Sequence, residues 1–565
     1  MSNLDSIPED YQEKWGHPTP KRTPVVIRRY SSETGRTLSR TTSNARSVVS
    51  VALSRIATTM DEHIDEEDSN LVNWDGPNDP ANPKNWNPRY KQFLTALTGL
   101  LTINVTLCSS APAASVFSLS RRFGISLVAS QLITSLFLLG FAIGPIIWGT
   151  TSEMYGRRIV FIISFSGFTL FIIGQALADN TATLFITRFL SGLFAAAPLS
   201  NGGGVVSDLW GPVERGKGVG IYATSVFVGS VLGPVIGGYL VQSGHQGWRW
   251  LFWCLFGFSF VCWVLCTAFL PETFAPVLLT RKARRLRKED PVKNKDLYTA
   301  HEGADWSFRG IAQRAIIRPF VIMALEPILI LLTLYSSLIY GILFGLFELF
   351  PIIWGERRGF DIGNTGLIFL GIGIGTTLGG FINVPLQRKF VHLAPLWQGF
   401  PPPEERLDAA IIGGPLLVIG IFWLGWTGEY SSIPWYVPAL STIPIGMAIN
   451  LSFVSLLGYI IDTYLIYAAS ALGANAFFRA MTAFAFPLFT PQMVHHMGIQ
   501  WSCTLLGCFS LLLAPIPWLF LKYGPQIRAR SKWSPNPDLK IREALEGAGL
   551  LSMQSPRTST ASSKV

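Results

Sequence analysis

The chain has 565 residues, of which 49% are hydrophobic, 13% aromatic and only 14% charged, and its mean hydropathy is +0.36. Soluble proteins carry roughly 25% charged residues. A chain this poor in charge cannot cover a water-facing surface, and its 38 Phe and 18 Trp exclude disorder throughout. The net charge of +10 sits in tails and loops between apolar runs, which fits asymmetry across a membrane better than nucleic acid.

Residues 1–91 are polar and rich in Ser, Thr, Arg and Pro, and are expected to form a disordered tail. No apolar stretch follows Met1, so no cleaved signal peptide is expected. Arg28-Arg29-Tyr30-Ser31, Arg36-Thr37-Leu38-Ser39 and Arg40-Thr41-Thr42-Ser43 are candidate phosphorylation sites, and Asp61 to Asp68 is an acidic cluster that reads as a solvated tail. Apolar runs then lie near 92–112, 127–149, 158–178, 182–204, 219–241 and 250–270. After a polar segment at 271–318, six more lie near 327–352, 364–386, 409–427, 437–459, 466–490 and 499–521. Each is about 20 residues, enough to cross ~30 Å of hydrocarbon as a helix, the one open-ended element that satisfies its own backbone in lipid. The expected fold is therefore an all-α membrane protein with twelve transmembrane helices in two six-helix bundles. The bundles occupy 92–270 and 319–521, joined by a cytoplasmic central loop at 271–318 and followed by a cytoplasmic C-terminal tail at 522–565.

Of the 45 Lys and Arg, 38 fall on the face that carries both tails, while the opposite loops hold Arg121, Arg122, Arg249, Arg357 and Arg358. The positive-inside rule then places both termini in the cytoplasm. The run Arg281-Lys282-Ala283-Arg284-Arg285-Leu286-Arg287-Lys288 is an inner-face basic segment that fixes topology or binds anionic lipid. The six cysteines lie in apolar runs without CxxC or His partners, so neither a metal site nor a disulfide framework is expected.

Three stretches carry chemistry. The inner loop between spans 2 and 3 holds Gly149, Glu153, Gly156, Arg157 and Arg158, a tight turn whose acid and paired arginines can latch two helix ends together. Arg188 lies inside span 4, where a cation costs several kcal/mol unless paired or solvated. It reads as functional or as an arginine reaching the outer interface. Span 5 carries Gly229, Gly233, Pro234, Gly237 and Gly238, a smooth face for close packing with a proline bend.

Together these resemble the signature motifs of the major facilitator superfamily. The loop is similar to G-x-L-x-D-R-x-G-R-R, with Thr151 and Met154 as departures. Arg188 and Gly192 match a span-4 R-x-x-x-G element, and span 5 fits the antiporter pattern G-x-x-x-G-P-x-x-G-G. Further stretches resemble the fungal twelve-span drug:proton antiporters: Asp79 to Trp86, Leu270-Pro271-Glu272-Thr273 and Pro403-Glu404-Glu405-Arg406-Leu407. The resemblance covers about residues 70–535. It implies alternating access by two bundles around a midplane cavity, a proton-linked role for Arg188, and a latch in which Asp208 joins Arg157 or Arg158.

Glu348 lies about 31 Å along span 7 from Pro327 at 1.5 Å per residue, near the outer mouth. It reads as the titrating acid of a proton cycle or as an interfacial residue. Glu326 and Asp462 read as helix caps. Arg479 in span 11 is a substrate or counter-ion candidate, and Asn104, Gln131, Asn201, Tyr335, Tyr340, Asn450 and Asn475 are cavity candidates. One deep acid against two arginines disfavours a polyamine, which would want several carboxylates. Phe-, Leu- and Ile-rich spans suit an amphipathic, neutral or weakly charged compound.

Enzyme readings fail. No Walker A, HExxH or GxSxG is present, and Gly218-Val219-Gly220-Ile221-Tyr222-Ala223 mimics a dinucleotide fingerprint but opens a membrane helix. The expected function is proton-coupled export of drugs, fungicides, toxins or secondary metabolites. Its partners are a small-molecule substrate, protons and the lipid bilayer, with no cofactor, no metal and no nucleic acid. A functional monomer in the plasma membrane is expected. A polyamine exporter, an uptake symporter and a non-transporting receptor on the same fold are the alternatives.

Overall fold

The computed structural model describes residues 70–542 apart from 77, 212–214, 245–246, 304–305, 394–396, 398–399 and 540. The membrane body is the compact unit Val72–Gly547; the other unit, Met1–Leu71 with Ala548–Val565, lies almost wholly outside the described residues. The candidate phosphorylation sites at 28–43 and the acidic cluster at 61–68 are outside them too.

The first bundle comprises α1 (Pro88–Ser110), α2 (Leu127–Tyr155), α3 (Arg157–Ala176), α4 (Thr181–Leu209), α5 (Arg215–Gln242) and α6 (Gly247–Phe269). The second begins with α7 (Pro327–Phe350), α8 (Phe369–Leu393), α9 (Asp408–Gly428) and α10 (Thr442–Tyr464). Among the described residues, ten apolar helical stretches are long enough to cross a membrane, but the last, Tyr436–Ala529, runs for 94 residues. Two left-handed backbones divide it into three spans. Leu465 (φ 41°) ends α10, and Gly498 (φ 80°, ψ 161°) separates α11 (468–497) from α12 (499–513, continued by Ile516–Ala529). Nine single spans and this triple one give the expected twelve.

Local chemistry sets many of the ends. Asn87, Ser126 and Asn180 accept backbone N–H groups at the starts of α1, α2 and α4. Glu429 accepts the N–H of Ile499 at 2.8 Å just past the Gly498 break. Arg358 donates to the carbonyls of Thr427, Gly428 and Tyr430, closing α9. Prolines within α2, α4, α5, α8, α9 and α11 are tolerated because neighbouring helices surround the freed carbonyls.

In the first bundle α1 packs on α5, α2 on α4 and α3 on α6; in the second α7 packs on α11, α8 on α10 and α9 on α12. The two bundles meet where α2 lies along α11 and α5 along α8. The span-5 glycines make both of α5's contacts possible. A methyl group on Gly229 would strike the carbonyl of Ile103, and one on Gly233 would come within 2.8 Å of Ala111 N. At Gly237 it would lie 2.5 Å from Ala111 O, and at Gly238 it would lie 2.7 Å from Ile362 O across the bundle interface.

Two expected loops differ from the structure. The described residues of 72–87, assigned above to the tail, form an ordered strap. Val72 N donates to Tyr298 O at 2.9 Å, and Asp79 accepts from the backbone of Asp75 and Ala81. Lys282 holds the strap by bonding Asn73 O and Asp75. The central loop contains the helix Ala275–Glu289, so the basic run is helical.

Candidate functional site

The face on which α1 begins and α12 ends carries most of the ion pairs and is called the basic face here. Gly156 (φ 97°) turns the chain between α2 and α3 in a conformation that L side chains rarely adopt. This turn delivers Arg157 to Asp208 of α4, with Nε 3.2 Å from Oδ2, while Nη1 donates to Ser152 Oγ at 2.9 Å and to Asn201 Oδ1 at 3.4 Å. The guanidinium also covers Phe274. Asp208 therefore meets Arg157, as the resemblance implies, and Arg158 instead donates to Thr267 O.

Glu153, the acid read as able to latch to an arginine, is exposed, and the arginine its charge acts on is Arg318 of the second bundle rather than Arg157 or Arg158. Glu272 does this work. It is buried and accepts from the N–H groups of Arg157 (2.8 Å), Thr273 and Phe274. Glu153 lies in the last turn of α2, whereas the loop after α6 brings Glu272 under the first N–H groups of α3. Gly149 has open space around it and no contact that demands glycine. Asn201 belongs to this latch rather than to the cavity: its amide also donates to Trp148 O.

The second bundle repeats the arrangement. Arg406 Nε lies 2.8 Å from Asp462, and Arg528 donates to both oxygens of Glu404 (2.8 and 2.9 Å) and of Asp538. Asp462 lies within α10 as this partner and is not a cap. Glu326 precedes α7 but makes no side-chain cap; it accepts from Tyr464 and Ser531. Residues Pro403–Leu407 had been noted as a motif, yet nothing in one linear stretch reveals that Glu404 meets Arg528.

Deeper in the body stand two buried arginines. Arg188 is fully buried, which excludes the interfacial reading. It donates to Ile133 O of α2 (2.6 Å) and to Cys108 O (2.7 Å) and Ser109 O (3.1 Å) of α1, with Gln175 Oε1 at 3.4 Å and Phe137 stacked at 4.2 Å. Arg479 of α11 is also buried, but its one hydrogen bond is a long contact from Nη1 to Asn475 Oδ1 at 3.4 Å, and Nε has no partner. Its guanidinium lies over Tyr340 of α7 (5.0 Å) and Phe453 of α10 (4.7 Å). Tyr222 of α5, from the other bundle, is within its electrostatic reach. Phe453 and Tyr222 were not among the expected cavity residues. Tyr222 was hidden in the false dinucleotide fingerprint, and Phe453 lies one helical turn past Asn450.

Toward the opposite face, Glu348 of α7 is buried and receives Gln131 Nε2 of α2 at 3.3 Å, a contact from one bundle to the other. Its second oxygen has no hydrogen-bond partner. Asn475 donates to Thr333 and Ser336, joining α11 to α7. Asn104 accepts from Ser259 and joins α1 to α6, so it is a helix-packing residue and not a cavity residue. Tyr335 and Asn450 are buried, and neither amide atom of Asn450 has a partner. A small cavity with room for about one water lies between α7 and α10, lined by Ser336, Ile339, Tyr340, Ile449, Phe453 and Leu456.

Two six-helix halves latched on one face, with polar groups set between them, are the architecture of a membrane transporter. The family model of the Major Facilitator Superfamily matches residues 94–487. The chain is 40% identical over 469 residues to the "Citrinin biosynthesis cluster MFS transporter mrr1" of Monascus ruber, covering 82% of this chain and 92% of that protein. It is 39% identical over 484 residues to the "MFS-type efflux pump MFS2" of Trichophyton rubrum, covering 85% and 80%. Its fold is similar to that of the proton:xylose symporter XylE bound to 6-bromo-6-deoxy-D-glucose (TM-score 0.57, 18% identity, 77% of this chain and 97% of that one). The chain belongs to the major facilitator superfamily, within its fungal drug-efflux-like family, and is a multi-pass membrane transporter.

Proposed function

We propose that the protein exports small amphipathic organic compounds from the cytosol in exchange for protons, with its basic face and both termini cytoplasmic and the plasma membrane as its residence. The observation that carries the proton-coupled part is Glu348. It is a carboxyl group at the contact between the bundles, with one long hydrogen bond from Gln131 and no cation beside it among the described residues. A carboxylate desolvated without a partner costs several kcal/mol. Proton binding at Glu348 removes that uncompensated charge and favours closure of α2 against α7; opening toward the far face returns the group to water. Arg188 acts one step away. By fixing Ile133 it holds the register of α2 that presents Gln131, two residues earlier, to Glu348. On the basic face, Arg157, Asp208 and Glu272 form the latch that must part when the cavity faces the cytosol.

The driving force is sufficient. A proton moving inward contributes about 2.3 kcal/mol per 100 mV and roughly 1.4 kcal/mol per pH unit. Export is favoured over uptake by the family habit of the span-5 pattern and by relatives named as efflux pumps and biosynthesis-cluster transporters. A polyamine is disfavoured because the midplane group facing both bundles is Arg479, not an acid.

The test begins with toxic compounds screened on cells with and without the gene, followed by proteoliposomes carrying an imposed pH gradient. Compound movement opposite to the proton gradient is expected, with its dependence on the gradient lost in Glu348→Gln. Accumulation on the side to which protons run would reject antiport.

A further inference from the structure

A buried guanidinium has five N–H donors and no acceptor, and it needs oxygen atoms around it. Arg479 has one such contact, at 3.4 Å, and a second donor, Nε, that meets nothing. Among the described residues no carboxylate compensates it; the titratable groups near it are the neutral phenols of Tyr340 and Tyr222. Two aromatic faces, Tyr340 and Phe453, offset part of the desolvation cost, since a cation over a ring gains about 2 kcal/mol when water is excluded. The same two rings line the small cavity between α7 and α10, so the unfilled donors stand beside open volume. The site also reaches both halves: Phe453 packs edge-on against Phe227 of α5 at 5.2 Å.

A planar group with two oxygen acceptors on an apolar body complements these donors and rings. We infer that Arg479 is the recognition point for the anionic head of the transported compound, a carboxylate or a comparable conjugated oxyanion, whose ring system enters between Tyr340 and Phe453 when the halves part and widen a space that here has room for about one water. The reading rests on the transport function proposed above and narrows its substrate class to singly charged aromatic or conjugated organic acids. Arginine suits this role because its fork meets a carboxylate with two parallel hydrogen bonds, which lysine cannot do. The aromatic walls supply affinity without fixing identity, and this allows several acids to share the site.

The test uses full-length protein in proteoliposomes with an imposed pH gradient. The probes are three naphthalene derivatives (2-naphthoate, 2-naphthamide and 2-naphthylmethylamine) and the matching three on anthracene. Because preference is a ratio measured within one protein, it does not depend on how much of a variant folds. The wild type is expected to move each carboxylate at least tenfold better than its carboxamide, with the amine poorest. Arg479→Gln is expected to bring carboxylate and carboxamide within about twofold, and Arg479→Lys to fall between. Equal handling of acid and amide by the wild type, or an unchanged ratio in Arg479→Gln, would overturn the assignment while leaving transport intact. Movement of none of the six in either direction would count against the transport reading itself.

Discussion

Arg188 and Arg479 are both arginines buried in apolar helices, one in each bundle, and their sequence contexts look alike. Their surroundings differ completely. Around Arg188, backbone carbonyls of α1 and α2 and the amide of Gln175 supply four oxygen contacts, and Phe137 covers the remaining face. Around Arg479 there is one amide oxygen and two rings, and a donor is left over. A saturated cation ties helices together, whereas an unsaturated one beside a cavity is poised to bind. Burial of a charge therefore identifies function in two distinct senses, and the tally of filled donors separates them.

The comparison predicts opposite consequences for parallel substitutions. Arg188→Leu strands the carbonyls of Ile133 and Cys108, and hydrogen bonds to charged groups contribute roughly 1.5–3 kcal/mol each, so a loss of about 3–6 kcal/mol is expected. Thermal unfolding of purified protein, or its failure to reach the membrane, reads this directly. Arg479→Gln, by contrast, is expected to change unfolding by less than about 1 kcal/mol, because the ring contacts it loses are offset by relief of an uncompensated buried charge. Equal destabilisation by the two substitutions would erase the distinction drawn between them.

The latch offers a second contrast of the same kind. Glu272→Gln removes the charge from a carboxylate that receives four backbone N–H groups, and a loss of about 1–3 kcal/mol is expected, together with greater labelling of a cysteine placed on the basic face. Glu153→Gln, at an exposed position, is expected to stay within about 0.5 kcal/mol. A larger effect at Glu153 than at Glu272 would restore the first assignment of the loop acid.

The smallest effect concerns the strap. Backbone N–H groups of Asp75 and Ala81, aided by Lys282, hold the Asp79 carboxyl below its usual value of 3.8. A depressed carboxyl stabilises the fold above its unfolded value and loses that contribution as pH falls through the folded value. The strap is therefore expected to resist proteolysis down to below pH 3.8 and to become cleavable at higher pH in Asp79→Asn. Cleavage of the wild type at pH 5 would contradict this.

Much of the fold was legible because bilayer thickness imposes one length on every span, and the twelve runs start within five residues of the helices observed, though some helices continue up to eight residues further. Gly498 marks a break between spans that hydropathy alone blurs, since apolar residues lie on both sides of it. The pairing of Asp208 with Arg157 followed from motif resemblance. Partners distant in sequence were not legible: Glu272 under α3, Glu404 against Arg528, and Ser259 drawing Asn104 away from the cavity all depend on how helices are arranged around one another. Nor did the sequence distinguish the two arginines, because the oxygens that fill Arg188 are backbone atoms and leave no trace in residue identity.

Coupling of transport to Glu348 is the central claim, and proton movement on addition of compound is its most direct test. With a pH indicator trapped in proteoliposomes, and no gradient imposed beforehand, inward loading of an accepted compound should drive protons out of the vesicle. The same measurement on Glu348→Gln should show no proton signal. Protons entering together with the compound, or an undiminished signal in Glu348→Gln, would contradict the account.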